Sequence, residues 1–138
     1  MSWTCPDCAR TFAQRPTLHS CVPSDVQAAL REVQPLLLPV VLKLMELVDD
    51  WPGVRWEFAS GSFMAKVPTT FLRVRPRSRD VQVTFMLDRV VDEFPVTRHI
   101  RQSASRVAHA VHVDDPAQVD DQLVGWLHEA HTLCRRAG

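Results

Sequence analysis

Four residues near the start of the chain have the types and spacing of a metal site. Cys5 and Cys8 flank Pro6-Asp7, and His19-Ser20-Cys21 follows, giving C-x2-C-x10-H-x-C. A CxxC turn places two thiolates at tetrahedral bite distance, and a third thiol and an imidazole complete a donor set suited to Zn2+. With all four positions filled by protein the metal is structural, because catalysis needs an open coordination position. The internal spacing resembles a zinc finger, with Phe12 and Leu18 at the apolar positions. In that template the next ligand falls at Cys21, so the three thiols are better defined than the fourth donor, His19, for which Asp25 is a more remote substitute. A redox CxxC and a metal-free tail are the competing readings, although a redox CxxC ordinarily follows a strand and opens a helix.

A second set of candidates is cationic. Net charge is zero, with 16 basic and 16 acidic residues, which argues against indiscriminate binding to nucleic acid or an acidic membrane. The distribution is uneven: between Arg55 and Arg106 ten basic residues face five acidic ones. Arg55, Arg73, Arg75 and Arg106 are the candidate anion ligands. Two strand arginines one residue apart point the same way about 7 Å apart, which suits phosphate or carboxylate contacts. The bland alternative is a solvated face laced with ion pairs.

Histidines supply the enzyme alternative. His109 or His112 would act as general acid or base while Arg73, Arg75 or Arg106 holds an anionic small molecule. On a straight strand these two histidines lie on opposite faces, and a buried, hydrogen-bonded His109 is the commoner outcome for such a position. His128 and His131 are spaced as helical neighbours without an identified carboxylate to complete a metal site. Four glycines, at 53, 61, 125 and 138, build neither a P-loop nor a dinucleotide turn.

The elements that must position these side chains follow from periodicity. Residues 1–23 are too poor in apolar side chains to bury a core and form the expected zinc module; residues 24–138 form the main domain. Ser24 and Gln27 read as a capping box opening a helix through Val26, Ala29, Leu30 and Val33. Pro35 and Pro39 predict a kink, with a second helix from near Leu37 to Asp50. After the Trp51-Pro52-Gly53 turn, period-two alternation marks four antiparallel strands around Val54–Phe58, Phe63–Val67, Leu72–Val74 and Val81–Leu87. A Pro95 loop leads to a fifth apolar run, Val107–Val113. Asp115 and Pro116 open a C-terminal helix with Val119, Leu123, Trp126, Leu127, Ala130 and Leu133 on one face. The expected fold is α+β, a two-layer sandwich of a four- to five-stranded antiparallel sheet with the kinked helix pair and the C-terminal helix on one face. An exposed last strand would offer a homodimer contact.

Several of these stretches resemble a known family. Trp3-Thr4-Cys5-Pro6-Asp7-Cys8-Ala9-Arg10-Thr11-Phe12 with His19-Ser20-Cys21, the Arg73-Val74-Arg75 strand, Ser105-Arg106-Val107-Ala108-His109, and Val119-Asp120 leading to Trp126-Leu127-His128-Glu129-Ala130 resemble the bacterial domain-of-unknown-function family DUF5655. The family shows an aromatic where this chain has His131. The resemblance implies an α/β sandwich of cytoplasmic bacterial origin and transfers no activity. The element order is also similar to frataxin-like domains, at the level of fold alone.

A hydrophobic fraction of 46% with 23% charged residues excludes a disordered or collagen-like chain. The longest uncharged stretch, Val33–Leu42, is about half a bilayer span and holds two prolines, so no membrane segment is expected. Met1 to Cys5 lacks a basic segment followed by an apolar run, and the cytoplasm is the expected compartment. These residues point to a binding domain that takes an anionic ligand or nucleic acid on an Arg-bearing sheet face, with Zn2+ as structural cofactor.

Overall fold

The computed structural model describes residues 2–4, 11–14 and 24–137. Cys5, Cys8, His19 and Cys21 lie outside the described residues. Two short strands flank the first cysteine pair in sequence: β1 (Trp3–Thr4) pairs antiparallel with β2 (Thr11–Phe12), Trp3 opposite Phe12. Helix α1 spans Ser24–Arg31 and α2 spans Leu38–Asp49, with Pro39 in the first turn of α2, where its missing N–H costs nothing. Val40, Val41, Leu44, Met45 and Val48 form the buried stripe of α2.

Six strands make the main sheet: β3 (Arg55–Ala59), β4 (Ser62–Lys66), β5 (Thr70–Pro76), β6 (Val81–Leu87), β7 (Arg98–Ser103) and β8 (Arg106–Val113), in the spatial order β3-β4-β5-β6-β8-β7. All neighbours are antiparallel. Ser60 and Gly61, with φ of 54° and 78°, make a two-residue turn between β3 and β4, the geometry that matches strand twist.

The sheet has one strand more than the four or five expected. β7 reads Arg-His-Ile-Arg-Gln-Ser, with all six residues exposed and no apolar alternation to mark it. Its strand character comes from the ladder that β8 offers. As a consequence β8 is an inner strand, between β6 and β7, and the open edge belongs to β7.

A second departure occurs at β5. Ala65 pairs with Leu72 and Lys66 with Thr70, so Phe71 is an extra residue in the ladder. Both Phe71 and Leu72 are therefore buried. Phe71 stacks on Trp51 at 6.4 Å and meets the edge of His131, rather than reaching the open face as strict alternation predicts.

Asp115 and Pro116 open a single 3-10 turn, Pro116–Gln118, with the Asp115 carboxylate accepting from the Ala117 N–H and Gln118 Oε1 from the Asp115 N–H. Helix α3 (Asp121–Ala137) starts after it, capped by Asp120 Oδ1 accepting from the Leu123 N–H at 3.0 Å. Leu123, Trp126, Leu127, Ala130 and Leu133 are buried as their spacing requires. The core lies between the helices and one sheet face, and among the described residues the other face carries no helix.

Candidate functional site

The uncovered face is organised in rows set by strand register. Arg75, Gln82 and His112 form one row across β5, β6 and β8. The next, about 7 Å along the strands, is Met64, Arg73, Thr84, Ala110 and Arg98, from β4 to β7. A further step gives Met86, Ala108 and Ile100. Ala108 and Ala110 are only 8% and 7% exposed, although no helix of the described residues covers them, because taller neighbours enclose these small residues.

The result is a groove made of two adjoining hollows. One, of about 140 Å³, is lined among others by Arg73, Thr84, Met86 and Gln102; the other, of about 120 Å³, by Gln82, Arg98, Ile100 and Ala110. Thr84, Gln102 and Ala108 belong to both.

The charges bordering this groove are uncompensated. On the open face Glu57 is matched by Lys66 at 2.8 Å, at the β3–β4 edge. Arg77 forks onto Asp80 at 2.7 and 3.0 Å, and the guanidinium is the main cause that holds the Asp80 carboxyl below its usual range. Arg89 forks onto Glu129 at 3.0 and 2.8 Å and ties the loop after β6 to α3. Arg73, Arg75 and Arg98 have no carboxylate partner among the described residues; the Arg73 guanidinium rests 3.9 Å from the Met64 sulfur.

The four predicted arginines do not converge. Arg73 and Arg75 are neighbours on β5. Arg55 sits on the outermost strand β3, opposite Lys66, and Arg106 sits at the β7–β8 turn, six residues along β8 from the row that holds Arg75. Arg98, which sequence reasoning missed with its strand, is the residue that faces Arg73 across the groove. No apolar run precedes Ser103, so no local pattern marked the strand that carries Arg98.

His109 and His112 lie on opposite faces as expected. His109 is fully buried on the helix side; its Nδ1 donates to the Val107 carbonyl at 3.0 Å and its Nε2 accepts from the Val91 N–H at 2.9 Å. Burial pushes its pKa down, against the opposing pull of the Val107 carbonyl. An acid–base role for this ring would require breaking one of those bonds. His112 faces the open side, with Nδ1 3.4 Å from Asp80 Oδ2, an ion-pair distance outside hydrogen-bond geometry.

His128 and His131 are employed elsewhere. His128 stacks on Trp51 at 3.9 Å, and His131 meets the same ring edge-on while its Nε2 donates to the Pro52 carbonyl at 2.8 Å. The pair clasps the turn before β3. Among the described residues no group of three His, Cys, Asp or Glu side chains is arranged to hold a metal ion.

The fold and face define an α+β domain with one helix-covered and one open sheet face. Residues 26–133 match the family described as "Domain of unknown function (DUF5655)", and the chain belongs to that family. The match begins beyond the Cys5–Cys21 segment. No curated protein and no solved structure matches the chain.

Proposed function

We propose that this chain is a binding domain whose open sheet face takes an anionic ligand or nucleic acid, with the N-terminal segment carrying a structural zinc ion. The observation that supports the first half is that Arg73 and Arg98 line the groove and Arg75 stands beside Arg73 on β5, all three without carboxylate partners among the described residues. A face evolved only for solvation tends to compensate its charges, as Glu57 and Lys66 do. Helices are absent from this side among the described residues, so a ligand reaches the guanidinium groups without rearrangement of the domain.

Binding to a single-stranded oligonucleotide measured against salt concentration tests the reading. Replacing Arg73 and Arg75 by Gln is expected to weaken binding and to reduce the slope of log K against log salt by about 1.4, since each phosphate contact on a single strand contributes about 0.7. Binding that is indifferent to salt contradicts the guanidinium contacts, and absent binding removes nucleic acid and leaves a smaller anion as the ligand.

For the second half, the donor set supplies the argument: three thiols and an imidazole satisfy the preferences of Zn2+, and Cys5 with Cys8 falls between the paired strands β1 and β2 in sequence. Held by Cys5, Cys8, His19 and Cys21, the ion would supply folding energy and no chemistry. Elemental analysis of gently purified, reduced protein is expected to return one zinc per chain, falling well below stoichiometry when Cys5 and Cys8 become Ser. Absence of stoichiometric metal removes this half.

A further inference from the structure

The groove is graded along the strand direction, and the gradient specifies more than negative charge. Its first row is polar and cationic (Arg75, Gln82, His112), its second sets Arg73 and Arg98 on either side of Thr84 and Ala110, and its third is apolar (Met86, Ala108, Ile100). From first row to third is about 14 Å. Ile100 is 43% exposed in a position that a purely solvated face would fill with a polar residue. A free phosphate or carboxylate would use the first two rows and leave the third bare.

Resting on the anion-binding reading above, we infer that the face binds an amphiphilic phosphate monoester, with the phosphoryl group between Arg73 and Arg98 and a short hydrocarbon or other apolar group over Met86, Ala108 and Ile100. Three features select this class. Arg73 on β5 and Arg98 on β7 stand in one row three strands apart, about 14 Å between backbones, a span two arginines can close on a shared group once Arg73 leaves the Met64 sulfur it rests on. Two planar forks from either side suit a phosphoryl group, which has oxygens to offer to each, better than the two oxygens of a carboxylate. The floor between them is made of small residues, Thr84 and Ala110, which give the head group room. The apolar row lies on one side of the guanidinium pair and the polar row on the other, so the ligand has a defined direction. A nucleic acid strand would seek aromatic rings for its bases, and the rings of the lining residues, Phe71 and His109, are both turned into the core.

Calorimetric titration of the full chain with hexyl phosphate, inorganic phosphate and 1-hexanol, in a phosphate-free buffer, tests this. Each fully buried methylene is worth about a four-fold gain in affinity, so a partly covered six-carbon chain is expected to bind at least about ten-fold tighter than inorganic phosphate, with 1-hexanol silent. Arg98→Gln is expected to weaken both phosphates alike. Ile100→Gln is expected to weaken hexyl phosphate alone. Both positions are exposed, so neither change threatens the fold. Equal affinity for the two phosphates overturns the amphiphile and leaves the anion site standing. Oligonucleotide binding with no response to either phosphate overturns the assignment of this groove. If neither phosphate nor oligonucleotide binds, both readings fall together.

Discussion

Phe85→Ala is expected to destabilise the domain by about 3–5 kcal/mol, the range for removing a large aromatic ring from a packed core. Phe85 is fully buried at the centre of β6, where it lies parallel to His109 on β8 at 5.6 Å and to Trp126 on α3 at the same distance. The interplanar angles are 8° and 17°, so three rings form one stack that joins the sheet to the helix layer. Deleting the middle ring removes both contacts and leaves a hole that neither neighbour can fill, because His109 is tied to the Val107 and Val91 backbone. Against a total stability of about 5–15 kcal/mol for a domain of this kind, that is a large share. Urea denaturation at unchanged m-value measures it, with Phe94→Ala as control. Phe94 is 91% exposed, and its truncation should stay within about 0.5 kcal/mol. Equal midpoints for the two variants would contradict the packing described.

The parts of this fold that were legible in the sequence are those where one face is buried and the other wet. Val81, Val83, Phe85 and Leu87 alternate with Gln82, Thr84 and Met86 and are buried in that pattern. The helical stripe of α3 was equally plain. What escaped were segments that a neighbour organises. β7 has no buried side chain to bias its pattern, so nothing local distinguishes it from the loop before it. Strict alternation would turn Phe71 to the open face; a bulge breaks that parity, and a bulge is a property of two strands rather than one. The two-residue spacing of Arg73 and Arg75 could be read directly, whereas the opposition of Arg73 and Arg98 depends on strand order. That order places β8 between β6 and β7, and it is set by the way the β7–β8 hairpin folds back onto β6.

Strand order also explains why the open face is a groove rather than a plane. The two inner positions of β8 on that side are alanines, flanked by Thr84 and Met86 on β6 and by Arg98 and Ile100 on β7. Small residues on an inner strand between larger ones on its neighbours produce a trough along the strand axis. On the covered side the same strand carries Val107, His109, Val111 and Val113, large enough to meet the helices and the loop after β6. The single strand therefore serves opposite requirements on its two faces, volume toward the core and recess toward solvent.

Stability should fall as pH drops below about 6.5, and His109 is the residue expected to cause it. Its native pKa is lowered, first by burial, with the cationic form of His99, whose ring centre is 6.1 Å away, acting in the same direction. In the neutral ring the proton sits on Nδ1 and Nε2 accepts from the Val91 N–H; protonation would place a second donor against that N–H inside the core. Between the lowered native value and the unfolded value the unfolded chain binds more protons, so stability increases with pH through that window and is lost on descending it, by at most about 1.4 kcal/mol per pH unit. Asp80 acts in a separate, more acidic window: its lowered pKa gives a contribution present above the unfolded carboxyl value and lost below about pH 3.9. Replacing His109 with Phe removes a titrating group and leaves the buried Val91 N–H unsatisfied, at a cost of about 1–3 kcal/mol. The variant should therefore be less stable at pH 7.5 and show a shallower decline between pH 7 and pH 5 than the parent chain, in urea midpoints taken at each pH. A decline of identical slope in both proteins would mean that some other group titrates in this window.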